Sequence, residues 1–117
     1  MNDETNCVFC KIIAKKIPSR IMFENGSFFA FADATPQAPI HILVVPKKHI
    51  ADIHSMHESD CDMIGNLFLT AKKIASDLGL EKQGYRLVIN NGEGAGQSVF
   101  HLHLHILSGR SFSWPPG

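Results

Sequence analysis

Histidines 101, 103 and 105 alternate with apolar residues in Val99-Phe100-His101-Leu102-His103-Leu104-His105-Ile106-Leu107. In an extended chain successive side chains point to opposite faces, so this spacing predicts three imidazoles on one face and Leu102, Leu104 and Ile106 in a core on the other. At roughly 3.3 Å rise per residue the ring-bearing carbons are about 6 to 7 Å apart, near enough to couple directly or through one ligand atom. Imidazole titrates at about pH 6.5, so a neutral nucleophilic nitrogen and a protonated acid can coexist on adjacent rings near neutrality. Nucleotidyl transfer uses that combination: one ring attacks phosphorus while another group protonates the leaving atom or orients the attacking ring. A His-x-His metal clamp uses the same spacing, and the triad by itself leaves both chemistries open.

The segment just upstream favours phosphorus. Asn90-Asn91-Gly92-Glu93-Gly94-Ala95-Gly96-Gln97-Ser98 holds three glycines and ends in an amide and a hydroxyl, a composition that lets backbone N–H groups turn toward an anion. A second constellation is Cys7-Val8-Phe9-Cys10, whose two thiols supply soft ligands close together. Three cysteines in total make a disulfide framework improbable on arithmetic, and Cys61 has no evident partner.

These residues need elements to position them. Cys10 to Lys16 reads as a short helix stopped ahead of Pro18. Ile21–Glu24 and Ser27–Ala32 read as a hairpin around Asn25-Gly26, a pair that commonly supplies the positive φ angles of a primed turn. His41–Val45 is an apolar strand ended by Pro46, Arg86–Ile89 another, and Val99–Leu107 the last. From Ser59 to Leu78, Met63, Ile64, Leu67, Ala71, Ile74, Ala75 and Leu78 recur at three- and four-residue steps, predicting the one long helix. Ser59 with Asp62 would cap its start and Gly79 its end. About five strands and two helices without βαβ alternation predict an α+β domain on an antiparallel sheet, one domain over residues 1–117.

Composition bounds the partners. Eleven basic and 11 acidic residues leave no net field to draw the chain to nucleic acid or an anionic membrane, so an anionic ligand must be held locally. No apolar run reaches the ~20 residues of a membrane helix. Met1-Asn2-Asp3-Glu4 is acidic and no apolar stretch follows, so no secretory signal is expected and the cytoplasm is the default location.

His101-Leu102-His103-Leu104-His105-Ile106-Leu107 resembles the signature of the histidine triad family. Asp33-Ala34-Thr35-Pro36-Gln37-Ala38-Pro39-Ile40-His41, Val44-Val45-Pro46-Lys47-Lys48-His49, Gly96-Gln97-Ser98 and Trp114-Pro115-Pro116-Gly117 are similar to its nucleotide-binding branch, so the resemblance spans nearly the whole chain. It implies a homodimer whose two sheets join into one, binding a purine nucleotide in each subunit. The implied reaction is hydrolysis of purine nucleoside phosphoramidates and aminoacyl adenylates, releasing AMP or GMP and an amine. By motif position His103 would be the nucleophile that becomes nucleotidylated, His105 would contact the phosphate and assist proton movement, and His101 would orient its neighbours. His41 would join the proton network. Asp33 and Ala34 would meet the ribose end of the nucleotide, with Asp33 on the hydroxyls, while Asn90, Gly96, Gln97 and Ser98 would surround the phosphate and leaving group. Trp114 would reach the partner subunit's site.

The chemistry so implied needs no cofactor. Some family members carry a structural zinc, for which Cys7, Cys10, His49 and His101 stand at matching positions. Two rival functions remain at this stage: a metalloenzyme with zinc or iron on the triad, and a non-catalytic nucleotide sensor or scaffold. Sibling branches that cleave dinucleoside polyphosphates share the triad.

Overall fold

The computed structural model describes residues 4–117, so the acidic start at Met1–Asp3 lies outside the described residues. Five strands, β1 (Ile21–Glu24), β2 (Phe28–Ala32), β3 (Ile40–Pro46), β4 (Arg86–Val88) and β5 (Leu104–Ser108), form one antiparallel sheet in the order β1-β2-β3-β5-β4. A short helix α1 (Val8–Ile13) and a long helix α2 (Cys61–Asp77) complete the α+β architecture. No helix among the described residues is long and apolar enough to cross a membrane.

The alternation of side chains divides the sheet into two buried faces. Phe28, Ala30, Ile42, Val44, Leu104 and Ile106 face α2 and pack on Leu67, Ala71, Ile74 and Ala75. Leu67, Leu104 and Ile106 are fully buried, each contributing about 1.5 to 3 kcal/mol by the area it removes from water. On the opposite face Phe29, Phe31, Leu43 and Val45 pack under α1 through Phe9 and Ile12. Register carries the same division to the triad: Leu43 pairs with His105, and His41 with Leu107. His41, His105 and Leu43 therefore share the α1 face, while Leu104 and Ile106 anchor the strand from the α2 side.

Several local features depart from the sequence expectation. Neither Asn25 nor Gly26 takes a positive φ; instead the Asn25 side chain accepts hydrogen bonds from the amides of Ser27 (2.9 Å) and Phe28 (2.7 Å), so an Asx turn closes the hairpin. The short helix begins earlier, at Val8, because the Cys7 thiol caps it by accepting from the Cys10 amide at 3.3 Å. The long helix is not capped by Ser59 and Asp62. His57 and Asp60 bracket a preceding 3-10 turn, with the His57 amide donating to Asp60 at 2.9 Å. Gly79 does end the helix, at φ 70, where the Leu80 amide reaches back to Ala75 at 2.9 Å.

The last strand is also shorter than expected. Ladder pairing starts only at Leu104, because upstream the Leu102 amide bonds to Ile50 (2.7 Å) and the His101 carbonyl is taken by the His103 ring (2.7 Å). His101, at the end of a bend over residues 99–101, and His103 thus sit on an irregular approach to β5, on either side of buried Leu102.

Candidate active site

The triad is three different environments in a row. His101 is fully buried, and its Nε2 lies 2.7 Å from the Pro46 carbonyl, which can only accept; Nε2 therefore carries the proton and Nδ1 holds a lone pair. That lone pair points at the Cys7 Sγ (3.3 Å), the Cys10 Sγ (3.5 Å) and His49 Nδ1 (3.1 Å). His101 orients the middle ring through its backbone, not its imidazole.

His103 Nδ1 donates to the His101 carbonyl at 2.7 Å, so Nε2 is the basic nitrogen. Among the described residues that Nε2 has no hydrogen-bond partner. The Phe9 ring stands edge-on to His103 at 5.0 Å and 90°, and Phe31 backs Phe9 at 5.3 Å, so the attacking ring is held by packing as well as by its bond.

His105 is set by a chain that begins in the loop ahead of β3. The Gln37 amide donates to His41 Nδ1 (3.0 Å), forcing the His41 proton onto Nε2, which lies 2.9 Å from His105 Nδ1 and 3.4 Å from Asp33 Oδ2. His105 Nδ1 must then accept, leaving an N–H at Nε2. That Nε2 is buried and without a partner among the described residues. A buried donor with nothing to bind costs about 1 to 3 kcal/mol, so it marks where a ligand acceptor belongs.

All four rings are held neutral. Burial, opposed by the Pro46 carbonyl, pushes His101 down to about 4. Burial, with the His103 and His41 rings adding to it and Asp33 opposing, pushes His105 down to about 4. Burial also lowers His103, against its bond to His101, and lowers His41, against Asp33. Neutral rings are what a nucleophilic nitrogen requires.

The glycine-rich loop differs from the expected cradle of amides. Gly92 and Gly96 take positive φ around a 3-10 turn at Glu93–Ala95, but the amides of Ala95, Gly96 and Gln97 bond to carbonyls within the loop. The Gly92 amide goes to Gln97 Oε1 at 2.8 Å, and Gln97 Nε2 donates to Ala51 (2.8 Å) and Val99 (3.1 Å). Gln97 is therefore a brace that shapes the loop, not a free phosphate ligand. The amide and hydroxyl of Ser98 make no hydrogen bond among the described residues, and Asn90 Nδ2 lies beside Gly96. Trp114 stands 85% exposed at the end of the chain.

The pattern described as HIT domain matches residues 14–112, most of the chain. The chain belongs to the HIT family. An uncharacterized HIT-like protein of Synechocystis is 52% identical over 110 residues, covering 94% of this chain and 96% of the relative. The structure of a HIT family hydrolase from Legionella pneumophila superposes with a TM-score of 0.93 at 49% identity, covering 96% of this chain and all of that one. A histidine triad nucleotide-binding protein from Candida albicans gives 0.80 at 33% identity, over 94% of this chain and 83% of that one.

In this HIT protein Cys7, Cys10 and Trp114 fall outside the matched stretch, so the cluster that the two cysteines form with His49 and His101 is judged on geometry. The four donor atoms of Cys7, Cys10, His49 and His101 lie within 4.8 Å of one another. Tetrahedral zinc with bonds of about 2.3 Å to sulfur and about 2.05 Å to nitrogen puts S···N at about 3.6 Å and N···N at about 3.3 Å. The separations of 3.3 to 3.5 Å and 3.1 Å approach those edges, and the His101 proton is already held on the far nitrogen by Pro46. The residues fit a structural zinc. Cys61 is exposed on α2 and takes no part.

Two contributors carried no sequence signal. Gln37 acts through its backbone amide, which every non-proline residue has, and Phe9 was legible only as an apolar residue between two cysteines.

Proposed function

We propose that this HIT protein is a hydrolase of the nucleotide-binding branch that cleaves purine nucleoside phosphoramidates and aminoacyl adenylates through a nucleotidylated His103. The observation that carries this reading is the pair of opposite tautomers on neighbouring rings, 4.9 Å apart by centroid: a bare Nε2 on His103 beside an N–H at Nε2 of His105. One can attack phosphorus and the other can donate to a phosphoryl oxygen.

In the first step His103 Nε2 bonds to the α-phosphorus while the P–N bond breaks. The leaving nitrogen, protonated from solvent, departs with that electron pair as a neutral amine; an aminoacyl adenylate leaves as its carboxylate and needs no proton. His103 becomes cationic and keeps its Nδ1 proton on the His101 carbonyl. His105 supplies a fixed hydrogen bond to the growing oxyanion, since its Nδ1 is engaged by His41. Water then attacks phosphorus, the P–N bond to His103 breaks, and a proton is lost to solvent with AMP or GMP released.

Asp33 would accept from the ribose hydroxyls with Ala34 alongside, and Ser98, with Asn90 and Gly96 beside it, would donate to the phosphate. A homodimer with one continuous sheet would give the exposed Trp114 a partner subunit to cover. Zinc on Cys7, Cys10, His49 and His101 would be structural, tying α1 to the strand approach; the chain's own residues do the chemistry.

Incubation with an adenosine phosphoramidate and rapid quench in denaturant at mildly alkaline pH, which preserves a P–N bond to histidine, should give a protein heavier by one adenylyl group. His103→Ala should give none; an adduct elsewhere reassigns the nucleophile, and tight AMP binding without turnover favours the sensor.

A further inference from the structure

The strand that carries His105 also holds the loop that decides where the His105 proton lies. Ile40 pairs with Ser108 at the end of the β3 to β5 ladder, so the same register, carried one step further, brings Gly109 to Pro39. Gly109 has φ 96, and a Cβ built on it would lie 2.8 Å from the Pro39 Cβ and 3.1 Å from its Cγ. Only a glycine combines that backbone conformation with that approach. Arg110 follows, and its Nε–H donates to the Gln37 carbonyl at 2.9 Å. Its head is itself held, with Nη1 donating to the Ser111 carbonyl at 3.0 Å and the guanidinium 4.3 Å from the Phe112 ring centroid.

These contacts fall on Pro36-Gln37-Ala38-Pro39, a segment already short of freedom, since a proline fixes its own φ and restricts the residue before it. Within the same loop the Thr35 amide donates to Asp33 Oδ1 at 2.8 Å, and the Gln37 side chain donates to the Thr35 carbonyl at 3.0 Å. What reaches from this segment toward the reacting rings is the Gln37 amide, 3.0 Å from His41 Nδ1. It keeps the His41 proton on Nε2, and His41 in turn keeps the His105 proton on Nε2 by donating to its Nδ1 at 2.9 Å. Asp33 Oδ2 favours the same His41 tautomer, but from 3.4 Å, and Asp33 is the group that the ribose hydroxyls would engage. With those hydroxyls bound, the Gln37 amide is left to set the tautomer.

We propose that Gly109 and Arg110 are positioning residues for the hydrolysis: by gripping residues 36–39 they hold the Gln37 amide on His41, and through His41 they hold the His105 N–H ready for the phosphoryl oxygen. The inference rests on the phosphoramidase reading and adds two residues that act through other groups rather than on substrate. One segment does both jobs, because β5 carries the His105 ring and its continuation carries the grip. A single exposed hydrogen bond such as that of Arg110 contributes modestly to folding, so its loss should show in the chemistry before it shows in stability.

Arg110→Met keeps the stem over Phe112 and removes every donor. It should lower kcat for an adenosine phosphoramidate about three- to tenfold with KM within about twofold, and Arg110→Lys, which restores a donor, should recover part of the loss. The readout that a merely structural role would not move is the ¹⁵N–¹⁵N scalar coupling across the hydrogen bond from the Gln37 amide to His41 Nδ1, measured without substrate. It should weaken in Arg110→Met and return in Arg110→Lys. Gly109→Ala, which drives a Cβ into Pro39, should act in the same direction and more strongly; Arg110→Met, an exposed change, carries the test even where that variant does not fold. An unchanged coupling in Arg110→Met overturns the proposal whatever the rate does, and so does an unchanged kcat beside a weakened coupling. If the unmodified protein hydrolyses no phosphoramidate, that reading fails by itself, and the coupling still decides whether Arg110 sets the bond from Gln37 to His41.

Discussion

His101 and His105 lie on one short segment and face the same way, yet their ends of it are built oppositely. Around His101 every donor is matched: Nε2 to Pro46, Nδ1 to two thiols and a second imidazole, with no exposed surface. Around His105 the chain from Gln37 through His41 stops at a buried N–H with nothing to bind. The closed end is a structural clamp and the open end waits for a ligand. His103, between them, takes its orientation from the closed end and faces the open one.

The largest effect that would sharpen the contrast is at the middle ring. His103→Ala should lower turnover of an adenosine phosphoramidate by at least about 10³-fold, while the packing lost against Phe9 and the unpaired His101 carbonyl lower the unfolding midpoint only moderately, with the protein still folded at 25 °C. Steady-state kinetics beside urea titration measures both, and comparable loss of stability would mean the ring is structural. At the open end His41→Ala removes the donor that fixes His105. Turnover should fall by about 10²-fold with modest change in KM.

The closed end should answer the other way. Equilibration with a strong chelator, or Cys10→Ser, should lower the melting temperature by on the order of 10 °C and cost proportionally less activity at 25 °C. Elemental analysis of the untreated protein should find one zinc per chain. A melting temperature indifferent to chelation would remove the clamp from the account.

Acid gives the smallest and most graded effect. His105 holds a pKa of about 4 in the fold against 6.5 in the unfolded chain, so below pH 6.5 the unfolded state binds the extra proton and the fold does not. Stability is therefore full above pH 6.5 and declines as pH falls toward 4, and His41 and His103, also lowered, act in the same direction. Urea midpoints at pH 7.5, 6 and 5 should decrease in that order, and less steeply in His105→Asn.

Much of this was legible in the sequence because period-two alternation and the three- and four-residue steps of α2 encode burial directly. Leu102, Leu104 and Ile106 were assigned to the core by spacing, and they are fully or nearly fully buried. The Cys7, Cys10, His49 and His101 cluster was reachable only through the family resemblance, since His49 and His101 come from distant segments. What escaped involves partners that a residue type does not specify. Motif position put Gln97 around the phosphate and leaving group, but a motif does not say where a side chain points, and this one accepts from Gly92 and donates to the carbonyls of Ala51 and Val99. The Asn25-Gly26 turn went wrong because an asparagine side chain that bonds two backbone amides competes with the positive φ route.

The central claim is that His103 and His105 are neutral and carry their protons on opposite nitrogens. Long-range ¹H–¹⁵N NMR of the ring nitrogens at pH 7.5 measures this directly. The account predicts an unprotonated Nε2 on His103 and a protonated Nε2 on His105. An Nε2–H on His103, or an imidazolium at that ring, would contradict it.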